Sequence, residues 1–279
     1  MGDFVSVDGV DYFVTAVGKG NPLVLLHGFT GSSASWEKQI IAFSARFRVI
    51  AIDLLGHGRT DSPLNPDRCR MEQAAADIIT ILGRQKAEVR GQKTHLLGYS
   101  MGGRLALYLA VNYPDWFQSL ILESASPGLE TGTARAARQQ QDNELADWIE
   151  INGIEAFVER WEKLPLWASQ SQLPEETRLA LQQQRLQNNA TGLANSLRGM
   201  GTGVQPSLWP RLSEIKMPVL LLAGKLDSKF VAISQQMREE IPHAQLQIVP
   251  QTGHTIHLER PFLFSKGVLD FLTSPIPNT

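Results

Sequence analysis

Short runs that are apolar at almost every position alternate along the chain with longer stretches whose apolar residues recur at helical spacing. The runs 23–26, 49–52, 94–97, 120–122, 218–223 and 246–249 read as strands. A strand is apolar on both sides when helices cover both faces of a parallel sheet. The amphipathic stretches 36–45, 71–84, 101–113, 231–241 and 261–271 read as the covering helices. Two more polar strands, 4–7 and 12–16, meet around Asp8-Gly9-Val10-Asp11 as a leading hairpin. Alternating strands and helices predict an α/β fold with a mostly parallel, doubly wound sheet.

One region breaks the alternation. Residues 127–212 carry no buried strand pattern, while helical patterning runs through 134–149, 154–162 and 175–188. Four of the six tryptophans lie there: Trp148, Trp161, Trp167 and Trp209. The expectation is a helical lid of residues 127–212 inserted into a core of 1–126 and 213–279, over the carboxyl edge where open α/β sheets bind ligands. The last residues, 274–279, read as a frayed tail.

Composition narrows the partners. A chain of 279 residues, 43% hydrophobic and 19% charged, has the apolar material for a large core and is not disordered. The formal net charge of −2, without a basic run, gives no sign of nucleic-acid binding. A single cysteine, Cys69, makes no intrachain disulfide, and no zinc-ligand spacing occurs. No signal peptide and no membrane span are expected, and nothing indicates an obligate protein partner. The expected setting is soluble and cytoplasmic.

The chemistry concentrates in Gly98-Tyr99-Ser100-Met101-Gly102-Gly103, which follows the strand at 94–97 and opens the helix at 101. In that setting G-x-S-x-G presents a serine on a tight turn, with the helix start supplying amide donors. A serine hydroxyl needs a histidine to take its proton, and that histidine needs an acid to orient it. Of the histidines after Ser100, His254 lies in a loop just past the last strand. His243 precedes that strand, at the opposite edge, and His257 reads as a packing or surface residue. Asp227, in the loop after the strand 218–223, is the acid, although an Asp before a helix is often only an N-cap. The oxyanion-hole amides expected are those of Met101 and Phe29, the latter in Leu26-His27-Gly28-Phe29-Thr30-Gly31. His27, His57 and His95 read as structural.

These motifs resemble the α/β-hydrolase superfamily along nearly the whole chain. Arg104 after the elbow, Pro127-Gly128-Leu129, Arg135-Ala136-Ala137-Arg138, Gln205-Pro206 and Asp227-Ser228-Lys229-Phe230 resemble a narrower family. These are the 2-succinyl-6-hydroxy-2,4-cyclohexadiene-1-carboxylate synthases of menaquinone and phylloquinone biosynthesis. The resemblance implies a lyase that eliminates pyruvate from a cyclohexene tricarboxylate, using the triad for proton abstraction and no metal or organic cofactor.

An anionic polycarboxylate substrate calls for forked cationic donors. Residues 127–212 hold seven Arg and one Lys against ten acidic residues, so a few aimed arginines must select the anion. Arg104, four residues after Ser100, faces the pocket. The resemblance adds Tyr99, Arg138, Trp161 and Arg185 as substrate-binding residues. Two other readings fit the same triad: a serine carboxylester or carbon–carbon-bond hydrolase, and a non-catalytic small-ligand receptor.

Overall fold

The computed structural model describes residues 2–89 and 92–274, so the tail past Ser274 lies outside the described residues. The strands are β1 (Gly2–Val7), β2 (Val10–Val17), β3 (Pro22–Leu26), β4 (Arg48–Ile52), β5 (Thr94–Tyr99), β6 (Phe117–Glu123), β7 (Val219–Gly224) and β8 (Ala244–Val249). Among the described residues they form one eight-stranded sheet in the order β1-β2-β4-β3-β5-β6-β7-β8. The hairpin β1–β2 joins β4 antiparallel, and every other pairing is parallel. The chain therefore runs outward from β3 to β4 on one side and to β5 on the other. That reversal opens a crevice at the carboxyl ends of β3 and β5, the place where such sheets bind ligands.

The helices are α1 (Glu37–Phe43), α2 (Met71–Val89), α3 (Met101–Asn112), α4 (Gly132–Glu162), α5 (Glu175–Leu186), α6 (Ala190–Met200), α7 (Ser228–Glu240), α8 (Ile256–Glu259) and α9 (Pro261–Thr273). Successive strand residues face opposite sides. Val24, Leu26, Leu96 and Leu122 pack with Ile78 of α2, Leu105 of α3 and Met237 of α7. Leu23, Leu25, Leu97 and Leu222 pack on the other side with Phe43 of α1 and Phe264 of α9. Covering both faces explains why the central strands β3 and β7 carry no polar side chain, whereas the edge strand β8, with Gln245 and Gln247, is only partly buried.

A helical insertion, α4 to α6, separates β6 from β7 and has its own apolar cluster, including Ile149, Phe157, Val158, Leu193 and Leu197. Gly153 (φ 80°, ψ 177°) breaks α4 where the sequence pattern divides 134–149 from 154–162. The helix expected at 36–45 is shorter: a 3-10 turn, Ser33–Trp36, capped by the Ser32 hydroxyl, precedes α1. Helix α6 has no counterpart among the elements expected from the sequence. It docks by backbone contact: a Cβ on Gly192 would fall 2.4 Å from the Gly56 carbonyl oxygen, and one on Gly199 2.6 Å from the Cys69 carbonyl carbon.

Candidate active site

Strand β5 ends at Tyr99 and α3 begins at Met101, leaving Ser100 alone on the turn with φ 50° and ψ −109°. An L-residue pays for this left-handed backbone, and such strain gathers at functional sites. The flanking glycines make the turn possible. A Cβ on Gly98 would lie 2.4 Å from the Gly102 carbonyl oxygen, and one on Gly102 2.3 Å from that of Leu26. The Ser100 amide donates to the Glu123 carbonyl at 2.9 Å, tying the turn to the end of β6.

His254 sits between β8 and α8, and Asp227 follows β7. The structure brings both to Ser100: His254 Nε2 lies 3.0 Å from Ser100 Oγ, and His254 Nδ1 2.6 Å from Asp227 Oδ2. A carboxylate accepts only, so Nδ1 carries the proton and Nε2 is left to take the hydroxyl's. Asp227 is also the N-cap of α7, its Oδ1 accepting from the Phe230 amide at 3.4 Å. The cap and the histidine partner are the same carboxylate. The rings of Phe230, Tyr99 and Trp167 stand 4.6, 5.5 and 5.7 Å from the imidazole and leave His254 only 2% exposed.

Phe29 and Met101 meet the same cavity. Met101 is the first residue of α3, whose opening amides have no acceptor within the helix. The Phe29 loop approaches because residue 28 is glycine; a Cβ there would fall 2.6 Å from the Tyr99 ring.

The remaining histidines have structural partners or positions. His27 Nδ1–H donates to the Gly28 carbonyl at 2.8 Å, and its Nε2 accepts from the Leu54 amide at 2.9 Å. His57 donates to the Leu55 carbonyl at 3.1 Å, and burial drives its pKa down to about 3. His95 bonds Ser119 Oγ at 2.7 Å, with burial lowering its pKa to about 4. His257 is buried against Glu123, and His243 is exposed just ahead of β8. Cys69 is buried, which pushes its thiol up to about 12.

The cavity holds about 540 Å³ and is lined by Tyr99, Ser100, Arg104, Arg138, Trp161 and His254, among others. Arg104 is 9% exposed, and its Nη1 donates to the Met200 carbonyl at 2.8 Å and to Gln205 Oε1 at 2.9 Å. Burial, and then the nearby Arg138 charge, lower its pKa to about 10, so it remains a cation at neutral pH. Among the described residues no carboxylate pairs with it. Arg138 is half-exposed and bonds Asp142 Oδ1 through Nε at 2.7 Å. Tyr99 donates or accepts at Thr255 Oγ1 across 2.9 Å, and burial raises its pKa, keeping it neutral. Trp161 is both cavity wall and insertion core, its ring 5.4 Å from that of Phe29.

Arg185 is the exception. It lies outside this cavity, with Nη1 bonded to Glu162 Oε1 at 2.8 Å, Nη2 to Gln170 Oε1 at 3.3 Å, and its guanidinium 5.5 Å from the Trp167 ring. Its charge is already answered by Glu162. Conversely, Ser124, Trp167, Lys229 and Phe230 line the cavity without being expected there. Lys229 and Phe230 were legible as neighbours of Asp227; nothing in the sequence pattern marks Ser124. Among the described residues no helix is long and apolar enough to cross a membrane.

A family model described as alpha/beta hydrolase fold matches residues 21–261. A Bacillus subtilis (strain 168) protein provisionally named 2-succinyl-6-hydroxy-2,4-cyclohexadiene-1-carboxylate synthase is 48% identical over 271 residues, covering 96% of each chain. The Salmonella typhimurium protein of that name is 32% identical over 251 residues, covering 90% of this chain and 91% of its own. The solved structure of MenH from S. aureus superposes with a TM-score of 0.87 at 40% identity, covering 94% of this chain and 97% of that one.

Proposed function

The chain belongs to the alpha/beta hydrolase fold family, and within it we propose that the chain is a lyase of menaquinone biosynthesis. It eliminates pyruvate from 2-succinyl-5-enolpyruvyl-6-hydroxy-3-cyclohexene-1-carboxylate to give 2-succinyl-6-hydroxy-2,4-cyclohexadiene-1-carboxylate. The observation that carries this reading is the 48% identity over 96% of the chain to the Bacillus relative bearing that activity in its name. The cavity supports it with a buried arginine that no carboxylate among the described residues pairs with, beside a hydrogen-bonded serine and histidine.

The names of substrate and product fix the bonds that change. Carbon 2, next to the succinyl ketone, loses a proton; the ring double bond moves from 3,4 to 2,3; a new one forms at 4,5; and the carbon 5–oxygen bond breaks. The leaving group departs as enolpyruvate and ketonises to pyruvate. Ser100 Oγ takes the carbon 2 proton while passing its own to His254 Nε2, and Asp227 holds the resulting imidazolium. Charge developing on the succinyl ketone oxygen rests on the Phe29 and Met101 amides. No acyl-enzyme forms, because the serine acts as a base.

Arg104 and Arg138 bind substrate carboxylates, with Tyr99 and Trp161 shaping the wall. Arg185 acts at one remove, through Trp167 and Gln170. Residues 127–212 serve as a lid on the core formed by 1–126 and 213–279, shielding the carbanion from water. A cytoplasmic setting suits a small trianionic substrate.

The triad and amides also suit an ester hydrolase, and the two chemistries separate by experiment. Intact-mass analysis during turnover of p-nitrophenyl esters and of the enolpyruvyl substrate decides between them. The lyase shows unmodified protein and pyruvate release; rapid ester turnover through an acyl adduct, without pyruvate, contradicts it. A receptor on this fold binds the substrate and leaves it intact.

A further inference from the structure

Ser124 follows β6 directly, one step beyond the Tyr99–Glu123 pairing of β5 and β6, so it stands beside Ser100 at the carboxyl edge of the sheet. The two serines share a left-handed backbone, with φ of 50° at Ser100 and 49° at Ser124. The Ser124 amide is used, donating to the Leu222 carbonyl at 2.9 Å. Its hydroxyl is not. Ser124 is 0% exposed and lines the cavity, yet its Oγ has no hydrogen-bond partner. Buried polar groups are nearly always satisfied, and one left unpaired in a cavity wall is a cost that a ligand's polar atom removes.

We propose that Ser124 is a substrate-binding residue, whose hydroxyl donates a hydrogen bond to an acceptor oxygen on a ring substituent of the anionic substrate. The inference rests on the lyase reading above. The donor role follows from the partner's chemistry: a substrate with three carboxylates and a ketone offers chiefly acceptors. The position follows from the register: a substrate whose acidic carbon meets Ser100 presents its adjoining substituents to the neighbouring strand end. Arg104 and Arg138 supply charge, and Ser124 supplies a neutral, directional contact close to the reacting carbon.

Structure and binding predict opposite signs for its removal. A hydroxyl that bonds nothing in the free protein contributes no stability there, so Ser124→Ala leaves the unliganded thermal midpoint unchanged or higher. The same variant lowers kcat/KM for pyruvate release by about tenfold or more, as expected for a lost hydrogen bond to a charged acceptor. Ser124→Gly, which also relieves the left-handed backbone, shows the same kinetic loss with a higher midpoint. The inference is overturned if either variant keeps kcat/KM within twofold of the parent, or if the kinetic loss appears only together with a lowered midpoint. A parent chain that releases no pyruvate overturns the lyase reading itself, and an active parent with an equally active variant overturns the Ser124 assignment alone.

Discussion

The ring Nδ1–H of His257 donates to Glu123 Oε2 at 2.7 Å, and the backbone N–H of the same residue donates to Oε1 at 3.0 Å. Both residues are essentially inaccessible to solvent. Through its carbonyl, Glu123 also receives the Ser100 amide, so this buried pair underpins the nucleophile turn without touching the cavity. Removing one member of such a pair strands the other's polar atoms, typically at about 3–5 kcal/mol. Glu123→Ala is therefore expected to lower unfolding free energy by about that amount, and Glu123→Gln, which keeps an acceptor oxygen, by less. Urea unfolding monitored by tryptophan fluorescence measures both.

Arg104 is a cation held in a buried setting by two neutral acceptors, Met200 O and Gln205 Oε1. That arrangement leaves it available for an anion. Arg104→Ala should cut kcat/KM for the anionic substrate more than tenfold, the equivalent of roughly 1.5–3 kcal/mol for a lost charge-assisted contact. Arg104→Lys should recover only part of it, because an ammonium lacks the planar fork. Steady-state kinetics of pyruvate release on the three proteins checks this, and undiminished activity in Arg104→Ala would remove the residue from the site.

The buried neutral histidines set an acid limit. His95 and His57 are held by burial at about 4 and about 3, below the value of about 6.5 for a histidine in the unfolded chain. In the window between, the unfolded chain binds more protons, so their contribution is complete above about pH 6.5 and is lost as pH falls toward their folded values. For His95 the loss is on the order of 3 kcal/mol at 1.36 kcal/mol per pKa unit. The thermal midpoint should fall steadily from neutral pH to about pH 4, and His95→Gln should show a shallower slope over that range. Parallel slopes would contradict the assignment.

The centre of the sheet was readable because strands such as 23–26 and 218–223 are covered on both faces and so lack polar positions. Ser100, Asp227 and His254 were readable because each follows a strand at the same edge, in an order that the topology permits. Helix α6 was hidden by its own packing. Gly192 and Gly199 lower its helical propensity, and they are glycines because the Gly56 and Cys69 backbones lie where a side chain would begin. Arg185 entered as a substrate ligand through the resemblance alone; its pairing with Glu162, 23 residues earlier on a different helix, was not legible because no local spacing connects the two. Ser124 was silent for a similar reason: an unsatisfied hydroxyl is defined by what does not surround it, and neighbours from distant segments decide that.

In the proposed reaction Ser100, activated by His254, removes a carbon-bound proton and so expels pyruvate. The decisive measurement is incubation of the purified parent chain and of Ser100→Ala with the enolpyruvyl cyclohexene substrate, following pyruvate and the cyclohexadiene product together. The parent should form the two in equal amounts, and the variant should lose at least about a hundredfold in rate, as expected when a positioned base is deleted, with its thermal midpoint preserved. Absence of pyruvate with the parent, or an equal rate in Ser100→Ala, would rule out Ser100 as the base.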